Sequence, residues 1–505
     1  MQFAKNVAEG HGFSYNAKEP VAGSTAPLWT FLLVPVHWIT KNITLRILMT
    51  KILGILFFII ALIFVYFLSF RITCNNNVAF FSALAVGTTT HLNWGAVSGL
   101  EIPLYVLLTI VVIYLNYEMC LQRKTKLIYL IPVLIGLAVY ARPECALLLI
   151  FYFLDNIPRW ITKRRLSFLI IATCLFVATL LPYFIFNYSL SGSIFPNTFR
   201  AKAQQNSIFV ALSTMNLLHL KWLFLKMAPA YFGQSIAHLF KANPLFVYGL
   251  FMGAFIIIYR KFKSPNDQSL SLMPVLVALF YAPLIGLISP FISADFHGGR
   301  YIANQVASGA LIAVWGFYWL FQTIKNNFPK VAIKIIIFVI VAIALYNTIF
   351  AQVFMIKFSA SNVKSINEIQ VKTGKWIKEN IPSDAIIGVN DIGAIKYFSD
   401  RRIIDLCGLV EPKIIDYFKK YSDNKLGAYL YVIEKKPDYL AIFPRWYPQL
   451  TDTNRFQVLY KIIYNKNTAS EWVFIPEVET YMGIVLKSLT FKPIPSEKWI
   501  LKTKF

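Results

Sequence analysis

The chain has 505 residues, of which 57% are hydrophobic, 16% aromatic and only 14% charged. A water-soluble chain keeps about a quarter of its residues charged, so a string of soluble globular domains is excluded. The 49 Lys and Arg and 24 Asp and Glu are also unevenly placed: residues 1–355 hold 8 acids and 26 bases, and residues 356–505 hold 16 acids and 23 bases. The first part reads as a polytopic membrane region and the last 150 residues as a water-exposed domain. The basic excess then marks cytoplasmic loops and lipid headgroups, not a nucleic-acid partner.

Residues 1–44 read as an outer-face juxtamembrane loop. The segment Met1 to Ala26 is polar and carries no cleavable signal peptide. Leu28 to Ile39, flanked by Trp29 and Trp38, is too short to span and reads as an interfacial helix. The transmembrane domain is placed at 45–355, because a span needs about 20 mostly apolar residues and candidates follow at 45–70, 78–97, 101–118, 166–187, 244–259, 270–290, 303–323 and 331–355. The stretch 126–154 is read as two short spans broken at Ala141-Arg142-Pro143-Glu144, giving ten helices. That reading collects Arg71, Arg123, Lys124, Lys126, Arg159, Lys163, Arg164, Arg165, Arg260, Lys261, Lys263, Lys325 and Lys330 in short loops on one side, which is then cytoplasmic. The long loop between 188 and 243 is expected to hold helices lying at the interface.

The tail, 356–505, reads as a soluble α/β domain on the outer face. Ile366, Ile369, Thr373 and Trp376 recur at helical spacing before Pro382, and Ala385 to Val389, Arg402 to Leu406 and Tyr439 to Phe443 read as strands. Cys74, Cys120, Cys145, Cys174 and Cys407 show no metal or disulfide spacing, so no metal is expected.

Ionisable groups at an apolar boundary are costly and therefore functional candidates. On the outer side these are Glu101, Arg142 with Glu144, Arg200 with Lys202, and Asp295, His297, Arg300 and Tyr301. Each has a plainer reading. Glu101 begins a helix and serves as a cap, Arg142 and Glu144 pair with each other at the helix break, Arg200 and Lys202 snorkel to lipid phosphate, and His297 is a loop residue. Gly298-Gly299-Arg300 is the hardest to dismiss, since paired glycines let backbone approach a ligand and deliver an Arg there. Several bases with few acids favour an anionic, lipid-linked ligand, whose phosphate oxygens match arginine forks.

The run Phe3-Ala4-Lys5-Asn6-Val7-Ala8-Glu9-Gly10-His11-Gly12-Phe13-Ser14-Tyr15-Asn16, followed by Glu19 to Thr30, resembles the first outer loop of GT-C glycosyltransferases, in the branch related to the terminal arabinofuranosyltransferases. Ser98-Gly99-Leu100-Glu101, Arg142-Pro143-Glu144, Pro196-Asn197-Thr198-Phe199-Arg200-Ala201-Lys202, Gly299-Arg300-Tyr301, Asn390 to Ile395 and Ile404 to Leu409 resemble that branch in the same order. The resemblance implies an α-helical polytopic membrane domain with a C-terminal α/β domain, in a bacterial inner membrane with the tail on the periplasmic face. It implies inverting transfer of a sugar from a polyprenyl-phosphate donor to an envelope glycan or glycolipid, with no cofactor. Arg300, Arg200, Lys202 and Arg142 are then expected to hold the donor phosphate, supported by Glu101, Glu144, His297, Tyr301 and Asn197, while the tail orients the acceptor.

The catalytic Asp of related enzymes lies in an acidic motif directly after the first transmembrane helix. This sequence departs there, beginning at Met1 where that loop is half over. An eleventh helix and the Asp are expected upstream, and within the chain only Asp295 and Glu9 stand as substitutes. The alternatives from other classes are a transporter of lipid-linked saccharide and an inactive truncated transferase that acts as a scaffold.

Overall fold

The computed structural model describes residues 1–122, 126–162, 167–203, 207–264, 271–289, 296–325, 327–421, 423–444, 446–451, 456–465 and 480–488. Asp295 and the loop bases Arg123, Lys124, Lys163, Arg164 and Arg165 lie outside the described residues. The chain forms two compact units, one of Thr25–Ile185 and Lys202–Ile356, the other of Met1–Ser24, Phe186–Ala201 and Lys357–Phe505.

The first unit is helical. Among the described residues the helices Ile43–Thr73, Ile102–Leu121, Ser167–Ser191, Pro244–Lys263, Ala303–Ile324 and Lys330–Asn380 are long and apolar enough to cross a membrane, and Pro27–Ile39, Asn76–Gly87, Leu127–Ala141 and Met273–Ile288 are shorter apolar helices. Ile43–Thr73 shows the pattern of a span. Thr50, Gly54, Phe58, Ala61, Val65 and Leu68 recur every three or four residues and are buried, while Leu48, Ile52, Ile55, Ile59 and Ile63 are exposed and equally apolar. A helix apolar on every side belongs in lipid.

The expected break in 126–154 is present. Leu127–Ala141 ends at Arg142, whose backbone is extended, and a 3-10 turn Pro143–Ala146 leads into Leu147–Thr162. The cause is Pro143, whose ring disfavours helical backbone at the preceding residue and whose nitrogen has no hydrogen to donate. The expected span 78–97 needs correction, because it is two helices, Asn76–Gly87 and Thr90–Val97. The Thr88 hydroxyl donates to the Leu84 carbonyl at 2.8 Å and the Thr89 hydroxyl to the Ala85 carbonyl at 2.9 Å, so side chains take over acceptors at the break. The stretch 188–243 holds the helices Asn197–Ala203, Ile208–Ser213, Leu217–Trp222 and Ala228–Ala242. Lys330–Ile366 runs past the composition boundary at 355.

Glycines let the helices Pro244–Lys263 and Ala303–Ile324 pack closely. A Cβ at Gly316 would lie 2.3 Å from the Gly249 carbonyl oxygen, and one at Gly253 would lie 2.5 Å from that of Ile312. Small residues let backbones of membrane helices approach where no hydrophobic force draws them together.

The second unit is α/β. Its strands are β1 (Ile386–Val389), β2 (Arg402–Asp405), β3 (Tyr439–Ile442), β4 (Phe456–Asn465) and β5 (Thr480–Ser488), in the spatial order β2-β1-β3-β5-β4. β1 is parallel to β2 and β3, and β5 runs antiparallel between β3 and β4. Ile387, Val389, Ile403, Leu440 and Ala441 are buried in succession, as expected for parallel strands covered on both faces. The first three strands lie within a residue or so of their expected ends; β4 and β5 were not expected from the sequence. Phe3, Phe13, Tyr15 and Val21 join Ile377, Ile387, Val389 and Ile403 in one core, so residues 1–24 are built into this unit.

At the C-terminal end of β2, Asp405 is fully buried and accepts from the Cys407 nitrogen at 2.9 Å and the Val410 nitrogen at 2.8 Å. Burial pushes its carboxyl up to about 6, against the opposing pull of those backbone N–H groups. An unfolded aspartate titrates near ~4, so between those values the folded chain holds a proton that the unfolded chain has lost. The stability from this group is fully present below about pH 4 and is lost as pH rises through 6.

Two stability predictions come from this packing. Gly316→Val should cost about 1–3 kcal/mol by overpacking and lower the melting temperature of the detergent-purified protein, whereas Gly233→Ala, with nothing within 4 Å of the added Cβ, should leave it unchanged. The melting-temperature advantage of the wild type over Asp405→Asn should be larger at pH 4.5 than at pH 7. A difference independent of pH would show that Asp405 titrates alike in the folded and unfolded chain.

Candidate functional site

Helix ends supply a cluster of charges within the helical unit. Glu101 immediately precedes the helix that begins at Ile102, Arg142 sits in the Pro143 break, Arg300 follows the short helix Phe296–Gly299, and Lys202 lies near the end of Asn197–Ala203. Helix ends suit this purpose because their backbone groups are not all used inside the helix.

The Glu101 carboxylate is the centre. Its side chain is only 3% exposed, and its Oε1 accepts from Arg142 Nη1 at 3.0 Å, Arg300 Nε at 2.8 Å and Arg300 Nη2 at 2.6 Å. The second arm of Arg142 donates to Glu144 Oε1 at 2.8 Å, and its guanidinium lies 4.8 Å from the centroid of the Tyr301 ring. Lys202 Nζ donates to the Tyr301 hydroxyl at 3.2 Å. Among the described residues, Arg142, Arg300 and Lys202 thus gather with Glu101, Glu144 and Tyr301 in a partly dry setting. Glu144 Oε2 is buried without a hydrogen-bond partner.

The backbone that delivers Arg300 is held from several directions. Gly298 and Gly299 have φ of +63° and +73°, and added Cβ atoms would lie 3.0 Å from Trp94 and 2.8 Å from His91, respectively. His91 Nε2 is 3.0 Å from the Gly299 carbonyl, the His91 and His238 rings are 4.7 Å apart, and the Tyr105 hydroxyl donates to the Arg300 carbonyl. The expectation that the paired glycines clear room for a ligand is thus corrected. The space beside them is filled by Trp94, His91 and His238, and the glycines let a tight turn pack against those rings. His91, His238 and Tyr105 were not singled out in the sequence, where they stand alone in apolar runs with no spacing to mark them.

Of the sequence candidates, Glu101, Arg142, Glu144, Lys202, Arg300 and Tyr301 are brought together. Arg142 pairs with Glu144 as the plainer reading expected, and with Glu101 besides. Asn197 and Arg200 belong to the other unit. There the Asn197 amide donates to the Gly408 carbonyl at 2.7 Å, and Arg200 is half-buried. Glu9 is exposed, 4.0 Å from His11. Asp295 lies outside the described residues, and His297 is placed by its backbone only.

Residues 361–487 match a family described as a domain of unknown function (DUF8728). No curated protein matches the chain. Among solved structures, ArnT from Cupriavidus metallidurans bound to undecaprenyl phosphate is similar over 98% of this chain and 94% of its own, with 10% identity and a TM-score of 0.55. The same protein in the apo state is similar over the same shares, with 11% identity and a TM-score of 0.53. The fold is therefore the one seen in ArnT, an apolar helical domain with a C-terminal region containing strands.

Removing the shared carboxylate should be costly. Glu101→Ala takes the shared carboxylate from Arg142 and Arg300, leaving Arg142 only its pair with Glu144, and should destabilise the protein by about 3 kcal/mol, read as a fall in melting temperature in detergent. A melting temperature equal to that of the wild type would show that the two arginines do not depend on Glu101.

Proposed function

We propose that the chain transfers a sugar from a polyprenyl-phosphate donor to a cell-envelope glycan or glycolipid, on the outer face of a bacterial inner membrane, with inversion at the anomeric carbon. The observation that carries this reading is the gathering of Arg142, Arg300 and Lys202 around Glu101, Glu144 and Tyr301. Guanidinium and ammonium donors brought together in this way favour an anionic phosphodiester over a neutral ligand. The fold shared with a protein solved with undecaprenyl phosphate supports it, and the ordered tetrapeptides favour the branch related to the terminal arabinofuranosyltransferases.

In this reading Arg300 and Lys202 hold the donor phosphate and Arg142 keeps the local charges in place. As the bond between the anomeric carbon and the phosphate oxygen breaks, the electron pair leaves with the polyprenyl phosphate, and the cations neutralise it without a metal. The acceptor hydroxyl oxygen forms the new bond and gives its proton to a carboxylate. Within the described cluster, Glu144 has an oxygen free for that proton, whereas Glu101 is occupied by two arginines. Glu9 stands on the exposed end of a helix in the other unit and is not proposed for the step.

The test uses membranes containing the chain, polyprenyl-phosphate sugars with a radiolabelled sugar, and glycan acceptors. A charge-assisted contact is worth about 1.5–3 kcal/mol, so Arg300→Ala should weaken donor use by about tenfold to over a hundredfold. Arg300→Lys should restore part of that loss, because the charge returns without the fork. Glu144→Gln should lower turnover and leave donor binding intact. Unchanged donor use by Arg300→Ala would remove it from the site, and donor movement across the membrane without glycosidic product would favour a transporter.

A further inference from the structure

The α/β unit contains a polar cavity of about 250 Å³ that the donor cluster does not involve. Its lining comes from the N-terminal segment, including Gln2, Asn6 and Glu19, and from the sheet region, including Lys396 and Asp400. Gln2, Asn6 and Lys396 are buried at its floor, and Glu9, Glu19, Asp400 and Arg402 are exposed around its rim.

The floor has hydrogen-bonding capacity to spare. Gln2 is 6% exposed and its Nε2 is spent on Asn6 Oδ1 at 3.2 Å and the Tyr15 carbonyl at 3.3 Å, yet its Oε1 is buried without a partner. A buried acceptor left unmade costs about 1–3 kcal/mol, which a ligand hydroxyl would recover. Lys396 is 4% exposed. It carries three N–H donors, one of which goes to the Arg401 carbonyl at 2.7 Å, and burial lowers its ammonium to about 8.

Two of the rim carboxylates, Glu19 and Asp400, are already matched. Glu19 receives Arg402 Nε at 2.5 Å and Asn16 Nδ2 at 3.0 Å, and Asp400 receives Lys5 Nζ at 2.8 Å. Paired charges give neither a phosphate nor an ammonium a strong preference, but their remaining lone pairs and N–H groups serve groups that both donate and accept. With Ala17 the one apolar residue in the lining, a lipid tail or an aromatic ring has little to bury against. The volume falls below the ~300–1,000 Å³ usual for drug-sized ligands, which suits a single hydroxylated ring.

We propose that this cavity is a saccharide-binding site that takes one sugar residue, with Gln2 and Lys396 bonding its hydroxyls at the floor and Glu19 and Asp400 at the rim. The binding itself is independent of the transfer reading; only the assignment of the sugar as part of the glycan acceptor rests on that reading.

The test is saturation-transfer NMR on the full chain in nanodiscs, with methyl glycosides of hexoses and pentoses and with short glycans built from them. At least one sugar should bind the wild type, and Lys396→Met should weaken it by about tenfold to a hundredfold. Glu19→Gln, at an exposed rim position, should weaken the same sugar and keeps the test open should Lys396→Met misfold. Tighter binding of the glycan than of its methyl glycoside would identify a residue within a chain, and the reverse order a free sugar. Both variants should retain undecaprenyl phosphate binding, so a failure here is distinguishable from a failure of the donor reading. No binding by any sugar, or equal binding by the wild type and both variants, would overturn the proposal.

Discussion

One buried carboxylate organises the helical unit. Glu101 is reached by Arg142 and Arg300, which lie 41 and 199 residues away in sequence, and it fixes where the Pro143 break and the Gly298-Gly299 turn must meet. Taking such charges out of water costs several kcal/mol for each ion unless they are matched. The geometry therefore has little freedom to slip: if either arginine moved away, Glu101 would be left with less compensation and the departing guanidinium would need another acceptor. The arrangement defines a place more than it adds net stability.

A second polar cluster makes the contrast clear. Asp155, Asn116 and Ser271 also lie buried within the helical unit. There Asp155 Oδ2 accepts from the Asn116 amide and the Ser271 hydroxyl, each at 2.7 Å, Oδ1 accepts from the Leu272 nitrogen at 2.8 Å, and Arg159 stands 3.7 Å away. Both oxygens are satisfied, as in a network that fixes a core. Around Glu101, by contrast, Glu144 Oε2 has no hydrogen-bond partner among the described residues. A buried oxygen left unpaired is a cost to folding.

The parts legible in the sequence are those governed by local rules. Pro143 announced the helix break, and the apolar runs announced most spans. In the tail, the β-rich segments at β1, β2 and β3 were bounded by turn residues. The split at Thr88-Thr89 was hidden because threonine is apolar enough to continue a hydrophobic run, and only its hydroxyl contacts reveal the break. β4 was hidden for another reason. Its sequence Phe456-Gln457-Val458-Leu459-Tyr460-Lys461-Ile462-Ile463-Tyr464-Asn465 does not alternate, and the pairing with β5 shifts register between Val458 and Tyr460, which destroys the two-residue period that marks a strand. The site was legible as a set of costly charges, but which charge meets which depends on contacts across hundreds of residues.

The N-terminal segment carries this dependence furthest. Asn16 clamps Ile403 in β2, donating to its carbonyl at 2.9 Å and accepting from its nitrogen at 3.0 Å, and the Tyr15 hydroxyl donates to the Ile392 carbonyl at 2.8 Å. Phe13 also packs edge-on against Phe186, with ring centroids 4.9 Å apart. Asn16 therefore reaches its partner in β2 only after 387 later residues exist. Contacts of such separation form late, because loop closure must precede any gain from them. The intervening helices can meet their internal hydrogen bonds one by one as they are made, whereas Met1–Ser24 must wait for the sheet that completes its core. Glu9 and Glu19, read from the sequence as parts of a membrane-surface loop, thereby line a cavity of the α/β unit.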